Sequence, residues 1–186
     1  MRKNFVWLTG IMIALAGCVS SLYPLYTAKD LTFEADLLGT WINDKSDEKW
    51  TFTQSDEKKY LLVLRDNEGK EGSFDAHLVK VKDRLYLDLF PADPEQIRKK
   101  FYSLNMIPVH TFYLVKSMNP TLKIAPLNMG WLEDYLALNT DAIKHVKRED
   151  EIILTAKPEE LQAFLIAHEK TPDAFADFSN MEKEVE

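Results

Sequence analysis

One thiol, four imidazoles and a scatter of carboxylates are the groups in this sequence that could do chemistry. Cys18 is the only cysteine, so no intramolecular disulfide and no thiolate metal cluster can form. A lone thiol offers one nucleophile for one covalent modification. The histidines are His77, His110, His145 and His168. None stands in an H-E-x-x-H or H-x-H spacing, so no metal site is expected. His77 and His110 fall within strand-like stretches and could meet across a sheet. Such a pair would either shuttle a proton or bind a metal, or else sit as packed, hydrogen-bonded imidazoles. His168 lies on the apolar face of a helix pattern. Asp66, Asp75 and Asp88 lie in or near strands, where two carboxylates at a barrel mouth can do acid–base work or simply form a solvated rim. G-x-S-x-G, S-x-x-K and glycine-rich phosphate loops are absent. Asp66-Asn67-Glu68-Gly69 lacks the spaced acids of a calcium loop and reads as a turn. No catalytic residue, metal or cofactor is therefore expected, and an enzyme is not the reading. A cleft joining His77, His110 and a carboxylate would reopen that question.

The chain has 186 residues, with 23 basic and 30 acidic side chains and a formal charge of −7. That acidity argues against nucleic acid, whose phosphates need a basic footprint. Hydrophobic content of 46% with 11% aromatics is enough for a real core, so global disorder is excluded. The length suits one domain.

Cys18 gains its meaning from what precedes it. Arg2 and Lys3 form a short cationic start, and Phe5 to Ala16 is apolar, interrupted by Thr9 and Gly10. Crossing a bilayer takes about 20 apolar residues, so this run is too short to span and has the length of a signal-peptide core. It ends in Leu15-Ala16-Gly17-Cys18, which resembles the lipobox of bacterial lipoproteins. The resemblance implies that Leu15, Ala16 and Gly17 are read by a signal peptidase. It also implies cleavage before Cys18 and acylation of Cys18 with a diacylglyceryl thioether and an N-linked chain such as palmitate. One acyl chain anchors marginally, whereas two or three anchor firmly. Val19 follows the cysteine, in place of the Asp that favours inner-membrane retention in enteric-type lipoproteins. The implied location is the outer membrane, facing the periplasm, where the host has one.

The remaining segments then divide as follows. Residues 1–17 are the signal peptide, and 18–36 are the lipidated Cys with a tether reaching at most about 60 Å. Residues 37–171 are a β-barrel domain with a C-terminal helix, and 172–186 an acidic, loose tail in which Phe175 and Phe178 could dock. Period-two stretches begin at Gly39, Trp50, Tyr60, Phe74, Arg84, Val109 and Leu122, with two more at 143–148 and 151–155. Asp66 to Gly72 is a hairpin signal. A short helix is expected near 131–138 and another near 158–169. The second has Pro158 at its first position, Glu159 and Glu160 in its first turn, and Leu161, Phe164 and Leu165 on one face. Pro94 could open a further helix within 93–105. Eight or nine short strands without βαβ alternation define a mainly β fold. The expected architecture is an antiparallel up-and-down barrel, which removes both sheet edges.

Gly39-Thr40-Trp41, after a short turn at Asp36-Leu37-Leu38, is similar to the G-x-W of the first lipocalin strand. In that family the Trp plugs the closed barrel end beneath a basic side chain from the last strand, a place Arg148 could fill here. The second lipocalin motif, T-D-Y, has no counterpart, since Thr140-Asp141-Ala142 does not match it. The mature chain also resembles uncharacterised bacterial lipoproteins that share the G-T-W start and the ending from Leu154 to Leu165, a likeness that implies no activity. The lipocalin resemblance implies an apolar cavity, with Trp41, Trp50, Phe52, Phe74, Tyr86 and Phe112 as its lining. The same aromatics could instead fill the core, because eight-stranded barrels occur both hollow and packed. The expected partners are the membrane through Cys18, an apolar small molecule or lipid in the barrel, or another envelope protein that uses the barrel as a structural or interaction module.

Overall fold

The computed structural model describes residues 19–92, 106–149 and 151–185. The lipobox segment, Cys18 itself and the helix expected within 93–105 lie outside the described residues.

Eight antiparallel strands close a barrel: β3 (Gly39–Asn43), β4 (Lys49–Asp56), β5 (Lys59–Arg65), β6 (Glu71–Val81), β7 (Arg84–Pro91), β8 (His110–Ser117), β9 (Thr121–Pro126) and β12 (Ser179–Lys183). Each strand from β3 to β9 pairs with the next, and β12 inserts between β9 and β3. The expected antiparallel barrel with two appended helices is present. The helices are α1 (Met129–Leu138) and α2 (Pro158–His168). Asn128 caps α1 by accepting from the amides of Gly130 and Trp131. Glu160 caps α2 by accepting from the Lys157 amide. At Asp66–Lys70 the Asp66 carboxylate accepts from the Glu68 and Lys70 amides, and Gly69 takes φ +78°, so this segment is the turn its composition implies.

Two expectations about the chain ends are corrected. The tail after residue 172 is not loose, because Ser179–Lys183 supplies the closing strand. Its Met181 is buried between Asn43 of β3 and Leu122 of β9. Met181 is the one apolar residue of this strand, and Ser179 and Lys183 share its face toward the two barrel ends. Backbone pairing with two bare edges does the rest. Residues 19–36 are likewise not a free tether. β1 (Ser20–Ser21) lies antiparallel to the start of β8 and parallel to β11 (Glu151–Leu154), which pairs in turn with β10 (His145–Arg148). β2 (Leu31–Thr32) pairs with β6 at Val79 and Leu78. Val19 and Leu25 are buried in the core, and such burial is worth roughly 1.5–3 kcal/mol for a large apolar side chain.

The apolar residues form two cores. Trp41, Trp50, Phe52, Tyr60, Leu62, Leu87 and Ile124 pack inside the barrel. Val19, Leu25, Tyr86, Phe112, Leu132, Leu154 and Leu161 pack on its outer face, beneath α1, α2 and the N-terminal segment. β7 serves both. Leu87 and Leu89 point inward, and Tyr86 and Asp88 point outward, all four buried. A barrel strand covered on both faces explains the near-continuous apolarity of Leu85–Phe90.

Candidate functional site

The most polar buried ground in the molecule lies on the outer face of β6, β7 and β8. His77 of β6 stands directly opposite Asp88 of β7, and the β7–β8 register sets His110 one row away from Asp88. Asp88 is fully buried. One of its oxygens receives Nδ1 of His110 at 2.7 Å, and the other receives the backbone N–H of Leu25 at 2.7 Å. Phe90 covers the His110 ring at 4.6 Å, and Tyr26 covers His77 at 4.6 Å.

The two flanking groups feel this environment. Burial holds the His77 imidazole below its ordinary pKa, against the opposing pull of Asp88 and Asp75. Its Nδ1 has no hydrogen-bond partner among the described residues. Burial, then Asp88 and Asp75, pushes the Tyr26 phenol up to about 12.

The same N-terminal segment is gripped from its other side by α2. The Gln162 amide donates to the Leu25 carbonyl at 2.8 Å and to Asp30 at 3.0 Å. Burial pulls the Asp30 carboxyl upward, but hydrogen bonds from Thr27 and Gln162, with Lys29 nearby, hold it below its ordinary range. Residues 25–30 are thus clasped between the barrel and a helix.

His77 and His110 do meet around a carboxylate, as their strand positions allow. A carboxylate-oriented imidazole can accept a proton at Nε2, and the buried Ser21 stands opposite His110 across the β1–β8 pair, but its hydroxyl donates to the Tyr23 carbonyl at 2.8 Å and accepts from the Tyr23 amide at 3.2 Å. The described residues contain no group of three or more His, Cys, Asp or Glu able to hold a metal. What the arrangement visibly does is bind backbone. Asp66 lies elsewhere, in its turn, while Asp75 stands two residues before His77 on β6, near enough to act on His77 and Tyr26, and is ion-paired with Lys59 at 3.3 Å. His145 donates from Nδ1 to the Ile143 carbonyl at 2.9 Å. His168 packs against Trp131, Tyr135 and Phe164, and burial lowers its pKa.

The six aromatics read as one lining fall into two sets. Trp41, Trp50 and Phe52 are buried inside the barrel, and half-buried Phe74 packs against them. Tyr86 and Phe112 sit in the outer core, because strand alternation turns them away from Leu87 and Tyr113. Trp50 meets Tyr113 edge-on at 5.4 Å and Phe52 meets Tyr60 at 6.3 Å, so these rings occupy the interior and touch one another.

One barrel end is shut by a plug that sequence reasoning only half located. A 3-10 turn, Ala35–Leu37, leads into β3, and the Trp41 indole N–H donates to the Leu37 carbonyl at 2.9 Å. The Lys183 ammonium lies 5.1 Å from the Trp41 ring centre and donates to the Asp36 carbonyl at 3.1 Å. The cation over Trp41 is therefore Lys183 of β12, not Arg148, which stands on β10 outside the barrel. The basic residue lies on β12, a strand whose polar composition resembles a tail. Phe33 stacks on Tyr60 at 4.8 Å, and the Tyr60 hydroxyl binds both the amide and the carbonyl of Glu34.

The fold and its plug define a closed antiparallel barrel of eight strands, with aromatic rings in mutual contact inside it and an outer helical layer. No protein-family model, curated protein or solved structure matches the chain. Among the described residues no helix is long and apolar enough to cross a membrane, which says nothing of strands.

Proposed function

We propose that this chain is a lipid-anchored protein of the bacterial cell envelope, facing the periplasm from the outer membrane, whose barrel works as a non-enzymatic structural or interaction module. One observation carries the reading. Val19, the residue after the lipobox-like Leu15-Ala16-Gly17-Cys18, is 2% exposed and belongs to the core. A leader cut before Cys18 would leave a chain whose folded body begins one residue later. The acyl chains would then hold the barrel itself, through the clasp of Leu25 by Asp88, rather than a flexible leash. An interior of rings in mutual contact favours a module over a carrier.

The Trp41–Lys183 plug favours a second reading, a lipocalin-like binder of a small apolar molecule or lipid. That function needs interior space that Trp41, Trp50 and Phe52 occupy, so it ranks second.

Intact-mass analysis of the native protein tests the anchor. The expected product begins at Cys18 and carries a diglyceride and an N-acyl chain, whereas Cys18→Ser leaves an unprocessed precursor. A native chain that begins at Met1 rejects the proposal. Gentle extraction followed by native mass spectrometry separates the two readings, since a carrier retains a ligand mass and a packed module does not.

A further inference from the structure

The described surface exposes seven large apolar side chains: Leu22, Tyr23, Met106, Ile107, Leu138, Val146 and Val185. Four of them, Leu22, Tyr23, Met106 and Ile107, share one end of the barrel. β1 runs antiparallel to β8 with Ser21 opposite His110, so Leu22 and Tyr23, which follow Ser21, lie at the same end as Met106 and Ile107, which lead into His110. Val146 reaches this ground through the small sheet. The register row Val146–Ile153–Ser20–Thr111 puts all four on one face, and Leu22, two residues beyond Ser20, continues that face. The opposite face of the same sheet is spent on the core, where Leu154, Ser21 and His110 are buried.

We propose that this apolar face is the surface on which the protein sits on its own bilayer, with Ile107, Val146 and Leu22 in the lipid interface. The proposal rests on the anchor reading above and deepens it. A scattered exposed apolar residue needs no explanation, but a cluster of large ones does. The occupant follows from where the chain leaves the body. Cys18 is two residues before Ser20, a member of the row itself, so chains bonded to that cysteine must enter lipid within about 7 Å of backbone. Tyr23 has the amphipathic character that suits a head-group boundary. Lys147 and Arg148 follow Val146, cations at the level where lipid phosphates would lie, although Lys147 also holds Glu133 at 2.6 Å.

The test uses the acylated full protein in phosphatidylcholine vesicles. Cys18 is blocked by its thioether, so a nitroxide can be placed at Ile107→Cys or Val146→Cys. Asp83→Cys, exposed in the turn between β6 and β7 at the other barrel end, serves as reference. The labels at 107 and 146 should collide several-fold less often with a water-soluble nickel complex than the label at 83, and more often with oxygen. Equal accessibility at all three sites, in protein whose mass shows the acyl chains, overturns the seating face and leaves the anchor standing. Protein whose mass lacks acyl chains overturns the anchor and the face together.

Discussion

The Lys183 ammonium lies over the Trp41 indole, 5.1 Å from the ring centre, and fixes the last barrel strand to the first across the closing seam. The contact joins residues that are neighbours only once the barrel is shut. A cation–π contact at an exposed site is worth about 0.5–1 kcal/mol, so Lys183→Ala should lose about that much while Lys183→Arg loses little. Trp41→Ala empties a fully buried site and should cost about 3–5 kcal/mol. Urea denaturation measures both, and equal losses for the two would refute a plug centred on the indole.

Gly39 tests the same end by backbone geometry. It takes φ +106°, and a Cβ there would stand 3.1 Å from Cε of Lys183. Gly39→Ala should therefore destabilise by about 1–3 kcal/mol. Removing the Lys183 side chain in the double variant relieves the contact but not the dihedral, so most of the loss should remain.

Asp88 is the residue whose loss should be felt most widely. It is buried, and it satisfies the His110 imidazole and the Leu25 amide together. Asp88→Ala leaves both donors without an acceptor, and each buried unsatisfied group typically costs about 1–3 kcal/mol. Asp88→Asn keeps one acceptor oxygen and should cost less. Limited proteolysis should show new cleavage within residues 19–30 of the Ala variant before the barrel is cut. Cleavage that begins in the barrel strands would remove Asp88 from its role as clasp.

Much of this was legible because period two survives burial on one face. Leu85, Leu87 and Leu89 declare β7, and Pro158 with Glu159, Glu160 and Leu161 declares α2. The ends were not legible, for physical reasons. β12 has Met181 as its one apolar residue, so its composition looks like a solvated tail, and β1 and β2 are two-residue pairings held by backbone bonds. The His77–Asp88–His110 gathering could be sensed from strand positions, since both histidines sit mid-strand. Its meaning could not, because the Leu25 amide that completes it comes from a segment read as a leash. Tyr86 and Phe112 were placed with Trp41 because composition does not tell which face of a doubly covered strand turns inward.

Deleting β12 tests barrel closure directly. A chain that ends at Phe178 keeps every other strand but bares the edges of β3 and β9 and uncovers the neighbours of Met181. Bare edges recruit other strands, so this variant should self-associate and lose cooperative unfolding. Met181→Asp in the full chain should destabilise through a buried, unpaired charge, with the strand pairing sites retained. Sedimentation velocity distinguishes the two, and a monomeric, cooperatively unfolding truncation would show that β12 closes nothing of consequence.

Acidification should weaken the fold through two half-buried imidazoles. His77 and His168 both have pKa values lowered by burial below the ordinary 6.5. The folded state therefore binds fewer protons than the unfolded chain, and stability rises with pH wherever that difference holds. The contribution is complete above about pH 6.5 and is lost as pH falls toward the lowered folded values. Asp30 and Glu160, held below their ordinary carboxylate ranges, give up their share only at more acidic pH. His77 is faced by Tyr26, Asp75, Asp88, Lys59 and His110, while among the described residues His168 meets the rings of Trp131, Tyr135 and Phe164 and the Thr171 hydroxyl. Thermal midpoints taken from pH 7.5 to pH 5 should fall, and the double variant His77→Gln with His168→Gln should flatten that slope. An unchanged slope in the double variant would show that neither imidazole is the source of the loss.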